Sequence, residues 1–366
     1  MRALAATTRF AGSEPEAAAR DRCAQVLTGL GFLVRIERFE FSEFPSRWAP
    51  ALISAVVAAV SLNAGHAAVV SHEPVLPLII AMIVLVAVAF LARYLSRRGV
   101  LDFPLSRSSA SNLVATRGDD EPALWLVAHL DSKSQTIPML VRIAAVTLFA
   151  VAVVVVLTAA AVVALAGESS PYAQHRAAAI AHHASLALMI SGLPLIFCFI
   201  GNRSHGALDN ASGVATVLLA AERMKSGNVG VLLTSAEELG LAGARAFVRD
   251  HRRRGIAINC DTIDDSGRFL FMRSRRLSPE IEAAVGKAAS RAGGASRGRG
   301  VSPMLPGVLA DNIAFSDAGW ESLTLSRGNL GTLGRVHTSR DRADSIGGTG
   351  IAQAALLLVA IVEELT

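Results

Sequence analysis

Four long apolar segments, arranged as two pairs, set the terms on which this chain of 366 residues can fold. Ala49 to Val70 is almost uncharged, and Val75 to Leu91 is an apolar run that ends at Arg93, Arg97 and Arg98. Ile143 to Ala166 is uninterrupted, and Ala177 to Gly201 is a fourth such run, with a kink expected at Pro194. At about 1.5 Å rise per residue, each can cross a hydrocarbon core of roughly 30 Å if a few flanking residues contribute. The first is the weakest, because Asn63 and His66 fall in its far third. The pattern predicts two transmembrane hairpins, residues 48–98 and 137–202, inserted into a domain built from residues 1–47, 99–136 and 203–366. A mean hydropathy of +0.45 with 18% charged residues agrees with such a mixture of membrane and aqueous parts.

Outside the spans the texture is that of an α/β protein. Glu16 to Leu30 has helical spacing, and Phe32 to Phe41 alternates as a half-buried strand does. Asn112 to Arg117 and Ala123 to Asp131 read as strands around a turn at Gly118-Asp119-Asp120. Beyond His205 the expected order is helix 211–224, strand 229–235, helix 241–252, strands 256–260 and 269–272, and helix 279–292. A Gly/Arg/Ser loop at 293–300 follows, then a short helix at 312–318, a strand at 322–325 and a last amphipathic helix at 350–364. Alternation of this kind predicts a three-layer α/β/α sandwich around a mixed, mainly parallel sheet, interrupted by the two hairpins with their four spans.

Composition excludes several classes. A net charge of +5 and a pI near 9.6 suit nucleic acid, but aromatics are 5% and no nucleic-acid-binding signature is present, so none is expected as a partner. Arginines facing anionic lipid explain the charge, including Arg252, Arg253, Arg254, Arg273, Arg275 and Arg276. Cys23, Cys198 and Cys260 lie far apart without CxxC spacing, which predicts neither a disulfide framework nor a thiolate metal site. Residues 1–40 carry charges throughout and hold no apolar core of a signal peptide, so the amino terminus is expected in the cytoplasm.

The chemistry gathers around Thr234-Ser-Ala-Glu-Glu-Leu-Gly240, where a strand gives way to a helix and two carboxylates stand side by side. His129, Asp209, Glu238, Asp261 and His337 likewise fall at strand ends or helix starts, where open α/β sheets collect ligands. They form a set of hard and borderline donors without thiolate, suited to zinc or another divalent ion. Five ligands exceed what one catalytic zinc needs, whereas two ions sharing a carboxylate use them all. Singly, each has a plain structural reading: Asp209 as a helix cap, Asp261 as a turn residue, His337-Thr338 as a loop. His66, His72, His175, His182 and His183 are read as interfacial polar residues on the far side of the membrane.

In this respect the chain resembles the di-zinc exopeptidases typified by bacterial leucyl aminopeptidase, aminopeptidase Y and glutamate carboxypeptidase. The matching pieces are Ala128-His-Leu-Asp-Ser132, Gly206-Ala-Leu-Asp-Asn-Ala-Ser-Gly213, Ala236-Glu-Glu-Leu-Gly240, Asn259-Cys-Asp261 and Val336-His-Thr338 with Asp341 and Asp344, in the family's order once the spans are excised. The resemblance implies two zinc ions, bridged by Asp209, with His129 and Asp261 on one and Glu238 and His337 on the other. It makes Glu237 the general base and Asp131 the carboxylate that orients His129. It implies hydrolysis by a water held between the metals, with Glu237 carrying the proton to the leaving amine, most simply in an aminopeptidase acting on short peptides. Leu130 and Val336 depart from the family where Tyr is often found, and Asn312 where His is frequent.

Two rivals share the fold: a single-zinc enzyme like the glutaminyl cyclases, and a receptor-like relative without turnover, against which Glu237 speaks. A transporter is disfavoured, since the spans hold few ionisable groups beyond Arg142. The flanking Arg47, Arg93, Arg97, Arg98, Lys133, Arg142 and Arg203, against Arg176 alone on the opposite loops, predict an inner or plasma membrane protein with its catalytic domain in the cytoplasm. If Asn112 to Arg117 pairs antiparallel with both Ala123 to His129 and Phe32 to Phe41, each hairpin leaves from the metal-bearing edge. A pocket facing the bilayer is then expected. Nothing in the sequence sets an oligomeric state.

Overall fold

The computed structural model describes residues 1–118, 121–224, 228–251, 253–291, 300–305 and 307–366. Asp119 and Asp120 of the expected turn, Arg252 of the arginine cluster and residues 293–299 of the expected loop lie outside these. The chain divides into two compact units, one of Met1–Ser42, Val100–Ser134 and Gly201–Thr366, the other of Glu43–Gly99 and Gln135–Ile200.

The first unit is built on an eight-stranded sheet. Its strands in chain order are β1 (Leu33–Ser42), β2 (Arg107–Thr116), β3 (Leu124–His129), β4 (Val229–Thr234), β5 (Ile256–Ile263), β6 (Arg268–Arg273), β7 (Ser302–Pro303) and β8 (Glu321–Gly328). In space they run β1-β2-β4-β3-β5-β8-β6-β7. The central pairings β4–β3, β3–β5 and β5–β8 are parallel, as is β6–β7, while β1–β2, β2–β4 and β8–β6 are antiparallel. The sheet is therefore mixed and mainly parallel. β3 and β4 are buried along their whole length, which is why they read as continuous apolar runs rather than alternating ones.

One expected pairing is corrected. β2 does not lie beside β3; β4 comes between them, antiparallel to β2 and parallel to β3. A strand as apolar as β4 needs a neighbour on each side to satisfy its backbone and bury its side chains, and it finds them in β2 and β3. The direction of β1 is unaffected. It runs the same way as β3 and β4, so Ser42, His129 and Thr234 all lie at one edge of the sheet.

Helices cover both faces. Ser212–Arg223 packs on the sheet beside Glu14–Gly29 and Thr349–Leu365, with Pro279–Arg291 against the last of these. On the other face, Ala242–Asp250 and Asn312–Asp317 close over Trp125, Val127, Leu232 and Ala257. Trp125 and Phe247 meet edge to face at 5.0 Å there, a favoured geometry for an aromatic pair.

The second unit holds four helices long and apolar enough to cross a membrane: Ala49–Val70, Val75–Asp102, Met139–Ala166 and Pro171–Ile196. Ala64, Ala68, Ala159, Ala160, Ala177, Ala178 and Ala181 form much of its interior, and such small residues let helices approach closely. At Gly65 an added Cβ would stand 2.7 Å from Ser185 Oγ, so the approach is at its limit. Two of the helices begin before the apolar runs that announced them. Arg142 and the Gln174-His175-Arg176 stretch lie inside helices, because a polar side chain that reaches water does not end one.

Candidate active site

His129 closes β3, level with Thr234 at the end of the parallel neighbour β4. On the other side Val127 is level with Asn259, which places Asp261 across from His129. Parallel strands thus deliver three chain segments to one edge without any long-range search by the side chains. Glu237 and Glu238 follow β4 directly, Asp209 arrives in the loop before Ser212–Arg223, and His337 in the loop after β8.

Asp209 stands in the middle. Its Oδ1 is 3.1 Å from His129 Nε2 and its Oδ2 is 3.0 Å from His337 Nε2. Glu238 Oε1 lies 3.1 Å from the same His337 nitrogen, and Asp261 Oδ1 and Glu237 Oε2 each lie 3.8 Å from His129 Nε2. All six side chains are buried.

The loop that presents Asp209 is held at both ends. Asp341 accepts the Leu208 N–H at 2.6 Å with one oxygen and the Asp209 N–H at 3.2 Å with the other. Asn210 accepts from Gly213 and Thr262 N–H at 3.0 and 3.2 Å and donates to Cys260 O at 2.8 Å, so it stitches the loop to β5 beside Asp261. Gly213 has no substitute at this crossing: a Cβ would stand 2.3 Å from the Cys260 carbonyl oxygen. These contacts give a physical reason for the Asp-Asn-Ala-Ser-Gly string.

Asp131 holds the two glutamates. Its carboxylate accepts the Glu237 and Glu238 N–H groups at 3.1 Å each, while its backbone carbonyl lies 3.1 Å from His129 Nδ1. Lys133 adds an ammonium 2.7 Å from Glu238 Oε2 and 3.2 Å from the Glu238 carbonyl oxygen. Beneath the turn, Ser235 donates its hydroxyl to the buried Glu16 and its N–H goes to Asn112 Oδ1 at 3.1 Å. Ala236, Thr262 and His337 have φ of 54°, 58° and 61°, the left-handed region that costs a residue with a side chain about 1–3 kcal/mol. Three such residues lie at or beside the liganding positions, strain that the surrounding hydrogen bonds hold in place.

Burial raises the Glu237 carboxyl well above the ordinary carboxylate range, opposed by His129 and assisted by the charges of Glu238 and Asp261. Asp209 goes the other way: burial would raise it, but hydrogen bonds and charge from His129 and His337 hold it well below.

The donor set fits metal ions. His129, Glu237 and Asp261 form one group, and Asp209, Glu238 and His337 a second, with the ligand atoms of each within 4.8 Å of one another. Ligands about 2.0–2.1 Å from a tetrahedral zinc lie roughly 3.3 Å apart, close to the separations seen here. Glu238 Oε1 is fully buried and its near neighbour is His337 Nε2 at 3.1 Å, in a geometry that makes no sound hydrogen bond, as for a carboxylate oxygen kept for an ion.

Other residues named from the sequence have plainer places. Leu130 and Val336 are interior apolar residues, and Asp344 is exposed in a turn of 3-10 helix. Reading the sequence missed Arg9, Glu16, Asn112 and the Lys133 contact. None carries a local signature, since their partners are main-chain groups or residues about a hundred or more positions away.

A model of peptidase family M28 matches residues 161–362. No curated protein matches the chain. Among solved structures, the aminopeptidase from Aneurinibacillus sp. strain AM-1 superposes with a TM-score of 0.54 at 14% identity, covering 98% of this chain and 90% of that one. A zinc aminopeptidase from Bacillus subtilis gives 0.54 at 14%, covering 98% and 91%. The glutaminyl cyclase of Porphyromonas gingivalis gives 0.55 at 14%, covering 100% and 95%. Likeness at this level of identity is a likeness of fold.

Proposed function

From the premise that the chain belongs to peptidase family M28, we propose that it is a membrane-bound, zinc-dependent aminopeptidase that removes N-terminal residues from short peptides. The observation that carries the reading is Asp209, whose two carboxylate oxygens face the Nε2 atoms of His129 and His337 at 3.1 and 3.0 Å. A carboxylate set between two imidazoles is placed to be shared by a pair of ions.

In this reading His129 and Asp261 hold one zinc, Glu238 and His337 the other, and Asp209 both. Other divalent ions suit the same donors. Bound there, zinc would supply Lewis acidity and lower the pKa of a water toward neutrality. Glu237, 3.8 Å from His129 Nε2, is in this reading not a ligand. It takes a proton from the attacking water and passes it to the leaving amine, the task of a carboxylate general base. Asp131 orients the pair of glutamates through their N–H groups and steadies the His129 ring. The four apolar helices anchor the enzyme in the inner or plasma membrane, with the catalytic unit in the cytoplasm.

The glutaminyl cyclases among the similar structures favour one rival, a single-metal enzyme that cyclises an amino terminus. Elemental analysis of the purified protein, coupled to a screen of aminoacyl chromogenic substrates and glutaminyl peptides, separates the two. Two ions per chain with release of free amino acid supports the aminopeptidase. One ion with ammonia release from glutaminyl peptides replaces it with the cyclase, and absence of turnover on either class leaves a receptor-like relative.

A further inference from the structure

The segment ahead of the first long helix carries a buried cation. Arg9 is 1% exposed, and every side-chain hydrogen bond it donates goes to a main-chain carbonyl. Nε reaches Leu130 O at 2.7 Å, Nη1 reaches Leu4 O and His205 O at 2.7 Å each, and Nη2 reaches Gly206 O at 2.9 Å. Its own backbone pairs with Ser132, donating to the Oγ at 2.9 Å and accepting the Ser132 N–H at 2.9 Å.

The acceptors matter more than their number. Leu130 and Ser132 flank Asp131 and directly follow His129, whereas His205 and Gly206 directly precede the loop that presents Asp209. One guanidinium therefore bolts together the two loops whose side chains meet at the 3.1 Å His129–Asp209 contact. A planar fork with five N–H donors can satisfy carbonyls in several directions at once, which an ammonium on a flexible stem cannot.

A buried cation is an expensive way to fill space, and an apolar residue of similar volume is commonly no less stable. Among the described residues no carboxylate pairs directly with Arg9, yet Asp341, Asp131 and Glu16 lie close enough for their charges to act on it. Asp341 carries the Asp209 loop, Asp131 the Glu237–Glu238 turn, and Glu16 the Ser235 beneath that turn. Arg9 thus sits at the hub of the acids that support the ligands.

We propose that Arg9 is a positioning residue for the metal pair, fixing the loop behind His129 against the loop ahead of Asp209 and so setting how tightly the ions are held. The proposal rests on the metallopeptidase reading above. Loss of a group that orients ligands from behind typically weakens metal affinity by about 10–100-fold, and that is the effect expected here.

The test uses the full-length protein in detergent, stripped of metal and titrated with Zn²⁺ against a competing chelator, then loaded with Co²⁺ for its visible absorption. Arg9→Met and Arg9→Lys are compared with wild type, and thermal unfolding of each metal-free protein controls for the fold. Both variants should bind Zn²⁺ about 10–100-fold more weakly, and at saturating Co²⁺ their absorption bands should shift, a change that general loss of stability does not produce. Arg9→Lys keeps the charge without the fork, so it carries the test if Arg9→Met does not fold. Wild-type affinity and an unchanged Co²⁺ spectrum in the folded variants overturn the proposal alone. A wild-type chain that takes up no metal overturns the metallopeptidase reading and this proposal with it.

Discussion

The ammonium of Lys133 stands 2.7 Å from Glu238 Oε2, with both side chains largely buried. The pair is formed by the residue four places beyond His129 and a carboxylate that faces His337 on its other oxygen. Lys133→Met leaves that buried carboxylate with the His337 imidazole but without the ammonium. Breaking such a pair costs about 3 kcal/mol, and metal-free protein should lose stability on that order. Saturating zinc should restore most of it, because an ion at Glu238 replaces the missing charge and binds only the folded chain. Denaturant melts of the variant with and without zinc check this; equal losses in both conditions contradict it.

Glu237→Gln should retain two metal ions and lose roughly two or more orders of magnitude in turnover, as removal of a general base does. Asp209→Ala should instead lose metal, since one residue serves both ions. Elemental analysis of the two variants, side by side, distinguishes proton carrier from bridge. Turnover retained in Glu237→Gln removes the assignment.

The metal-free protein should be less stable at pH 8.5 than at pH 6. Burial, with the charge of Asp131 behind it, pushes Glu16 from 4.5 up to about 8, and burial likewise pushes Asp341 from 3.8 up to about 7. Between the unfolded and folded values the folded chain holds a proton that the unfolded chain has released, so stability falls as pH rises through that window. His129 adds to the trend: although burial opposes it, the Glu237 charge and hydrogen bonds to Asp131, Asp209 and Asp261 hold its proton well above the usual range, and its contribution fades as pH climbs past that point. Metal binding needs deprotonated ligands and strengthens in the same direction. Unfolding temperatures of the stripped and loaded protein should therefore diverge with rising pH, and parallel curves contradict the assignment.

A reporter fused after Thr366 should be cytoplasmic. The basic residues that flank the four helices on the side of the catalytic unit outnumber the single Arg176 of the opposite loops, and such a bias sets orientation. Labelling with a membrane-impermeant reagent at cysteines introduced near Ser71 and Ser170 should succeed from outside intact cells, and exoplasmic exposure of the carboxyl terminus reverses the reading.

Much of the candidate site was legible because its proposed ligands are polar residues at the ends of apolar runs, and chain order alone lines such residues up along a parallel sheet. His129, Asp209, Glu238, Asp261 and His337 are of this kind, and the structure brings them within a few ångströms. Strand neighbours were less legible. Alternation and burial say that Arg107–Thr116 and Leu124–His129 are strands, but the turn between them suggests a hairpin, and only the competition for β4 reveals that they are apart. Arg9 and Glu16 could not be read at all. What they touch is main chain or a serine far along the sequence, and neither leaves a spacing behind.

The interposition of β4 between β2 and β3 also fixes an order of events during synthesis. Ala128 and Thr234, which meet across the middle of the sheet, are 106 residues apart, and both helices of the second apolar pair are translated between them. At about 5–20 residues per second a ribosome needs several seconds or more to cover that distance. Throughout it β3 has neither β4 nor β5 to pair with, and β2 has only β1. His129 therefore waits without its sheet neighbours while the helices that follow it are made. Asp209, Glu238, Asp261 and His337 all follow the last of the four apolar helices in the chain, so the cluster around His129 cannot assemble before that helix has been made.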